Sequence, residues 1–194
     1  MEKPDWVPWK DVCDCIHKAN TVNDKKGFHM RFAKIEPDEI KKELEDGHCF
    51  VAIKDKRVIG TASFRIRNLR KLYVWGKVIY YSLDGILPEF RGTDVYFNLT
   101  ELREKYVKKT GIKIFQFHTA EKNKTVIKLN QKYGYKLVLF KPTAGGTDYY
   151  SVTMVKWENG CPLPDWYLGF MFKISRFVTK AFFTPDFKFK YWFH

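Results

Sequence analysis

The sequence contains no long apolar run. Nowhere do the roughly 20 consecutive apolar residues of a membrane span stand together, so an ordinary transmembrane helix is excluded. Cysteine is scarce. Cys13, Cys15, Cys49 and Cys161 lack framework spacing, which excludes a disulfide-built scaffold and fits the reduced thiols of a cytoplasmic protein. Cys13, Cys15 and His17 fail as a metal cluster, because positions i and i+2 of a helix point apart, and no metal is expected. The opening Met1-Glu2-Lys3-Pro4-Asp5 has no basic segment leading into an apolar stretch, so a secretory leader is not expected. There is no internal repeat, and no low-complexity linker precedes Cys161. Negative charge is also short: 22 acidic against 35 basic residues give a net charge of +13.

That excess favours anionic partners, whether a phosphorylated cofactor, nucleic acid or an acidic membrane face, or else serves solubility. Nucleic acid is the weakest of these, because the basic residues are scattered rather than clustered with aromatics. At 194 residues, with 45% hydrophobic residues, the chain can bury a core without disulfides or metal.

Periodicity divides the chain into alternating elements. Pro8 and the spacing of Val12, Cys15, Ile16 and Ala19 predict a helix over Trp9 to Ala19, with a loop from Asn20 to Gly27. Glu36-Pro37-Asp38-Glu39 opens a second helix with Ile40 and Leu44 inward and Gly47 as its stop. Cys49 to Ile53, a polar turn and Val58 to Ile66 read as a β-hairpin, followed by a basic connection from Arg67 to Lys71. A strand through Tyr80 to Leu87 follows, then a helix from Asp94 to Lys109 with Val95, Leu99, Leu102 and Tyr106 on one face. Ile112 to Thr119 predicts a strand, Lys124 to Tyr133 a helix stopped by Gly134, and Tyr135 to Lys141 a strand. Gly145-Gly146 then reads as a turn, and Tyr149 to Trp157 as the last strand of the body. The expected fold class is α/β, a mixed β-sheet flanked by helices.

The junction from Tyr80 to Lys109 is the functional centre of this reading. Gly85 inside a strand suggests a bulge or a close backbone approach. The turn Leu87-Pro88-Glu89-Phe90-Arg91-Gly92 delivers backbone amides to a helix N-terminus, a natural anion site. Arg91 suits phosphate recognition there. Asp84 interrupts the apolar strand and is a candidate general base, as is His118 on the next strand. Asn123 reads chiefly as a helix cap.

The element order, the segment Leu87 to Gly92 opening a helix, and Asn123 through Val126, Ile127, Leu129, Lys132 and Gly134-Tyr135 closing the next resemble the GNAT superfamily of acyl-CoA N-acyltransferases over roughly Pro8 to Trp157. The resemblance implies a bulged strand and coenzyme A diphosphate bound by the amides that follow it. It also implies a backbone amide near the bulge that polarises the thioester. Carried over, Gly85, Ile86, Leu87, Arg91, Gly92, Thr93, Asp94, Val95 and Asn123 would hold the cofactor, acetyl-CoA or another acyl-CoA. Asp84, His118 and Tyr133 would carry the proton chemistry, and the acceptor would be a small-molecule or peptide amine.

Two positions depart from the family pattern. Asp94 and Tyr96 stand where the diphosphate loop has small residues, and the Asp94 carboxylate is expected to cap the helix amides a phosphate would take. Asn130 stands where the family commonly has the tyrosine that protonates the leaving thiolate, so the thiolate would leave with help from water, from another residue such as Tyr133, or unaided. A longer acyl-CoA or acyl carrier protein donor, or a non-catalytic binding or membrane-surface protein, is the alternative reading.

The domain division implied is 1-160 for the acyltransferase body and 161-194 for an aromatic, basic C-terminal extension. That extension holds 12 of the 34 aromatic residues. Phe170, Ile174, Phe177 and Ala181 form one helical face, flanked by Met171, Val178 and Phe182, with Lys173, Arg176 and Lys180 expected opposite. Packing on the body or in a homodimer is the favoured reading, and peripheral contact with a membrane is the alternative. Phe187 to Tyr191 alternates like an added edge strand.

Overall fold

The computed structural model describes residues 1–25, 35–44, 46–143, 148–188 and 190. The strands form a mixed six-stranded sheet flanked by helices. The chain divides into two compact units, Met1–Arg67 with Ile79–Ile112, and Asn68–Val78 with Lys113–His194.

The first unit opens with α1 (Trp9–Lys25), which runs past Ala19 into the segment expected to be a loop. Asn20 continues the helix because it is buried and its side-chain amide donates to the Ile16 carbonyl; residues 26 and 27 lie outside the described residues. Helix α2 (Pro37–Glu43) starts at a reciprocal capping box between Glu36 and Glu39 and stops at Leu44. Gly47 is therefore not its stop. It is the first residue of β1 (Gly47–Lys54), opposite Arg65, where a Cβ would lie 2.7 Å from the Phe64 carbonyl oxygen.

Asp55 and Lys56, both with positive φ, make a two-residue turn into β2 (Arg57–Lys71). The expected basic connection is the far half of β2. Its charges are accommodated in the strand by stacking, with Arg67 over Tyr80 at 4.0 Å and, in the second unit, Arg70 over Trp75 at 5.3 Å. Strand β3 (Val74–Ile86) from Ile79 onward, a 3-10 turn (Pro88–Phe90) and α3 (Val95–Lys109) complete this unit. The most buried positions of α3 are Leu99, Arg103 and Val107 rather than Leu102 and Tyr106. Ile16, Ile40, Val51, Ile59, Leu83 and Leu87 share one core with the thiols of Cys13, Cys15 and Cys49. All four cysteines are free, and burial pushes Cys15 and Cys49 up to about 12.

The second unit contains β4 (Ile114–Ala120), α4 (Lys124–Lys132), β5 (Lys136–Lys141), β6 (Ser151–Trp157) and α5 (Asp165–Phe182). Strand β6 pairs antiparallel with β4 on one side and β5 on the other, leaving β5 at the edge. The expected Gly145-Gly146 turn lies outside the described residues. Val74, Val78, Val138, Val155 and Leu168 form the core of this unit.

Helix α5 covers the exposed edge. Ser175 Oγ accepts from the Phe140 N–H at 3.0 Å, and Thr179 Oγ1 donates to the Phe140 carbonyl at 3.1 Å. The face that packs is Leu168, Phe172, Ser175 and Thr179, whereas Phe170, Ile174 and Phe177 remain exposed. The apolar face expected to pack on the body therefore does not. Helical spacing also sets Lys173, Arg176 and Lys180 along one border of the exposed face rather than opposite it. The segment after α5 is a tight turn, with Thr184 N–H donating to the Lys188 carbonyl, and residues 187 and 188 form no edge strand; residues 189 and 191 lie outside the described residues.

The edge cover gives a stability test. Thr179→Val keeps the shape and removes the hydroxyl bonded to Phe140, so unfolding in urea should show a loss of about 1–2 kcal/mol. Ser175→Ala should cost about as much, and a change near zero would mean that water replaces the hydroxyls.

Candidate functional site

In the first unit the site is built at the end of β3. Leu83 has φ +56, and there the strand leaves regular extended geometry. The backbone groups displaced by this break are re-paired by β2 side chains. Thr61 Oγ1 donates to the Leu83 carbonyl at 2.8 Å, and the Ser63 hydroxyl donates to the Ser82 carbonyl. The irregularity thus falls on Leu83, two residues before Gly85. At Gly85 the chain makes a close approach: an added Cβ would lie 3.1 Å from Ala19 Cβ of α1.

Asp84 follows the break and is held at both oxygens. Oδ1 accepts from the Ser63 N–H at 3.2 Å, and Oδ2 from Arg103 Nη1 at 2.6 Å. Side-chain exposure is 31% for Asp84 and 5% for Arg103. Arg103 also lies over the Tyr81 ring at 4.1 Å, and Tyr81 donates to Glu104 at 2.7 Å. Burial alone would lower the Arg103 pKa, but the Asp84 charge and hydrogen bond raise it above its ordinary value. Arg103 is the site residue that sequence reading missed. Its signal was a charge inside the i, i+4, i+8 line from Leu99 to Val107.

The turn after β3 is largely self-paired. The Leu87 N–H donates to the Ile59 carbonyl at 3.0 Å, the Arg91 N–H to Pro88 at 3.3 Å and the Thr93 N–H to Phe90 at 3.4 Å. Gly92 has φ +82, and nothing stands within 4 Å of where its Cβ would be. The Arg91 guanidinium turns back, with Nη2 donating to the Ala19 carbonyl at 2.6 Å and Nε to Ile86 at 3.4 Å. Asp94 sits at the α3 N-cap with helical φ and ψ and makes no side-chain cap bond. The expected capping by its carboxylate is not formed, because that backbone conformation is not the extended one an N-cap side chain needs. The Val95 N–H instead takes Thr93 Oγ1 at 3.5 Å.

The remaining candidates lie in the second unit. His118 on β4 has Nδ1 2.9 Å from Thr153 Oγ1 and Nε2 3.5 Å from Lys141 Nζ. Burial first, and the Lys141 charge second, push its pKa down to about 3. Asn123 caps α4, with Oδ1 accepting from the Val126 N–H at 3.4 Å. Asn130 donates to the Val126 carbonyl at 2.9 Å, and Tyr133, at the C-cap of α4, is 64% exposed. In the first unit, Cys13 and His17 converge on the Ile35 carbonyl. Among the described residues no group of three or more His, Cys, Asp or Glu side chains could hold a metal ion.

Two measurements follow from this chemistry. Asp84→Ala strands a cation that is almost wholly buried and should cost about 3–5 kcal/mol. Arg103→Met leaves a partly hydrated carboxylate and should cost about half that, so the reverse order in denaturant melts would refute the asymmetry. Below about pH 6.5 the unfolded chain protonates His118 while the folded chain resists until about 3. Stability must therefore fall as pH drops through that window, by up to about 1.4 kcal/mol per pH unit, and His118→Asn should flatten this part of the profile.

The sequence model described as the Acetyltransferase (GNAT) family matches residues 17–135. No curated protein matches the chain. Among solved structures, a probable acetyltransferase from Staphylococcus epidermidis ATCC 12228 is similar at 12% identity, with 81% of this chain and 96% of that one covered and a TM-score of 0.60. A GCN5-related N-acetyltransferase from Kribbella flavida is similar at 16% identity over 81% and 95%, with a TM-score of 0.58. The PaiA N-acetyltransferase from Thermoplasma acidophilum, solved in complex with coenzyme A, is similar at 15% identity over 77% and 92%, with a TM-score of 0.54. These likenesses concern the fold, whereas the family match runs from the middle of α1 through the β3 break, α3, β4 and α4. The chain belongs to the GNAT acetyltransferase family.

Proposed function

We propose that the protein is an N-acyltransferase that moves an acyl group, in the simplest case acetyl from acetyl-CoA, to the primary amine of a small molecule or peptide. The observation that carries this reading is the junction of the broken β3, the glycine turn and the α3 N-terminus, where the Asp94 carboxylate caps none of the first-turn amides. A diphosphate fits such a helix end electrostatically. The coenzyme A complex of the Thermoplasma relative supports the choice of donor.

The amides around Thr93 to Val95 would hold the diphosphate in exchange for their long contacts to Phe90 and Thr93 Oγ1, at 3.4 and 3.5 Å, and Gly92 would let the backbone approach it. Arg91, bonded to Ala19 and Ile86, is assigned to bracing the turn. Because the Leu87 amide is already bonded to Ile59, the amide polarising the thioester carbonyl is assigned to Gly85 or Ile86. The amine nitrogen attacks the thioester carbon; a C–N bond forms, the C–S bond breaks and coenzyme A departs as the thiolate. The proton lost by the ammonium goes to water or to Asp84, the partly exposed carboxylate at the break. His118 is too weak a base near neutral pH to share that task. Since the Asn130 amide cannot supply an ionisable proton, the thiolate would leave unaided, with a proton from water, or with one from a residue such as Tyr133.

Isothermal titration with acetyl-CoA and coenzyme A, followed by thiol release in the presence of an amine panel, tests the reading. Binding in the micromolar range is expected, and no heat at millimolar ligand would sink it. Asp94→Gly removes a repelling charge beside the diphosphate and should tighten coenzyme A several-fold at low salt. Weaker binding would show that the carboxylate serves the ligand.

A further inference from the structure

Helix α5 has two faces with opposite fates. Leu168, Phe172, Ser175 and Thr179 face the sheet, two of them through hydroxyl bonds to the backbone of Phe140. On the other side Trp166, Phe170, Ile174 and Phe177 recur at i, i+4, i+8 and i+11, with exposures of 73%, 57%, 46% and 72%. Four large apolar side chains in one line are a contiguous patch rather than scattered surface residues. The helix is thus fixed to its unit through one edge while the opposite edge stays in solvent.

The chemistry around this face selects its occupant. Lys173, Arg176 and Lys180 run along one border, all exposed. Arg176 and Lys180 also lie near the Phe140 ring, and Lys180 stands 3.6 Å from Glu121. The one acidic residue of the helix, Asp165, lies at its N-terminus and pairs with Lys136 at 3.2 Å. An apolar aromatic face bordered by cations matches the boundary between acyl chains and anionic headgroups. Among the described residues no helix is long and apolar enough to cross a membrane. The 18 residues of α5, about 27 Å long, would lie along a bilayer surface rather than through it. A second copy suits the face less well, because each copy brings a net charge of +13.

We propose that the outer face of α5 docks the protein on an anionic lipid bilayer, with Trp166, Phe170, Ile174 and Phe177 in the headgroup boundary and the basic border against anionic lipid. This does not depend on the acyl-transfer reading, since the face lies on a different element from the β3 junction.

Flotation of the full chain with phosphatidylcholine vesicles, with and without phosphatidylserine, tests it at low and high salt. The protein should float with phosphatidylserine vesicles at low salt and be released at high salt. Phe170→Ser with Phe177→Ser should weaken partitioning about tenfold or more. Lys173→Gln and Arg176→Gln should each weaken it about fivefold. Unchanged circular dichroism and melting temperature would show that these exposed substitutions leave the fold intact. Failure of the wild-type chain to float, or equal flotation of the serine variant, would overturn the proposal. So would a concentration-dependent dimer in light scattering that the serine variant abolishes without any vesicle binding, which would assign the face to a second copy.

Discussion

A buried strand cannot leave its ladder without new partners for its backbone groups, and at Leu83 strand β3 does leave it. The φ of +56 turns the peptide out of register. The cost is offset by two hydroxyls on β2, Thr61 on the Leu83 carbonyl and Ser63 on the Ser82 carbonyl. Everything distinctive about the site depends on that substitution of side chain for backbone. It lets Asp84 reach the Ser63 amide and the Arg103 guanidinium, and it leads the chain to Gly85 under α1 and into the turn that opens α3.

The same principle governs the far edge of the sheet. A bare β5 would present unpaired backbone to solvent or to another chain. Helix α5 removes that liability at Phe140 with Ser175 and Thr179. Because hydroxyls do part of the docking, the large aromatics of α5 are not all spent on the interior, and the outer line from Trp166 to Phe177 remains available. Covering the edge and presenting a surface are two faces of one helix.

The sequence was legible where one residue type has one local consequence. Pro37 beside Glu36 and Glu39 specified the start of α2, Asn123 the cap of α4, and Gly134 with its positive φ the end of that helix. It misled where a residue's role depends on what lies across from it. Gly47 looked like a helix stop but allows close strand pairing, and the basic run after Ile66 looked like a loop but stays extended by stacking on aromatics. Asp94 looked like a capping carboxylate, yet its helical backbone angles deny it that geometry. Arg103 was passed over because a buried guanidinium makes sense only once Asp84 and Tyr81 stand around it.

The sequence by itself determined the order and kind of the elements, the excess of positive charge and the strand–turn–helix junction that marks the family, because each depends on neighbours within a few residues. Only the tertiary structure decided that the break falls at Leu83, that the Arg91 guanidinium is tied to the Ala19 carbonyl of α1, and that His118 is held neutral by burial and Lys141. It alone decided which face of α5 is buried. Those outcomes depend on groups many residues apart, whose pairing and desolvation exist only after the chain has folded.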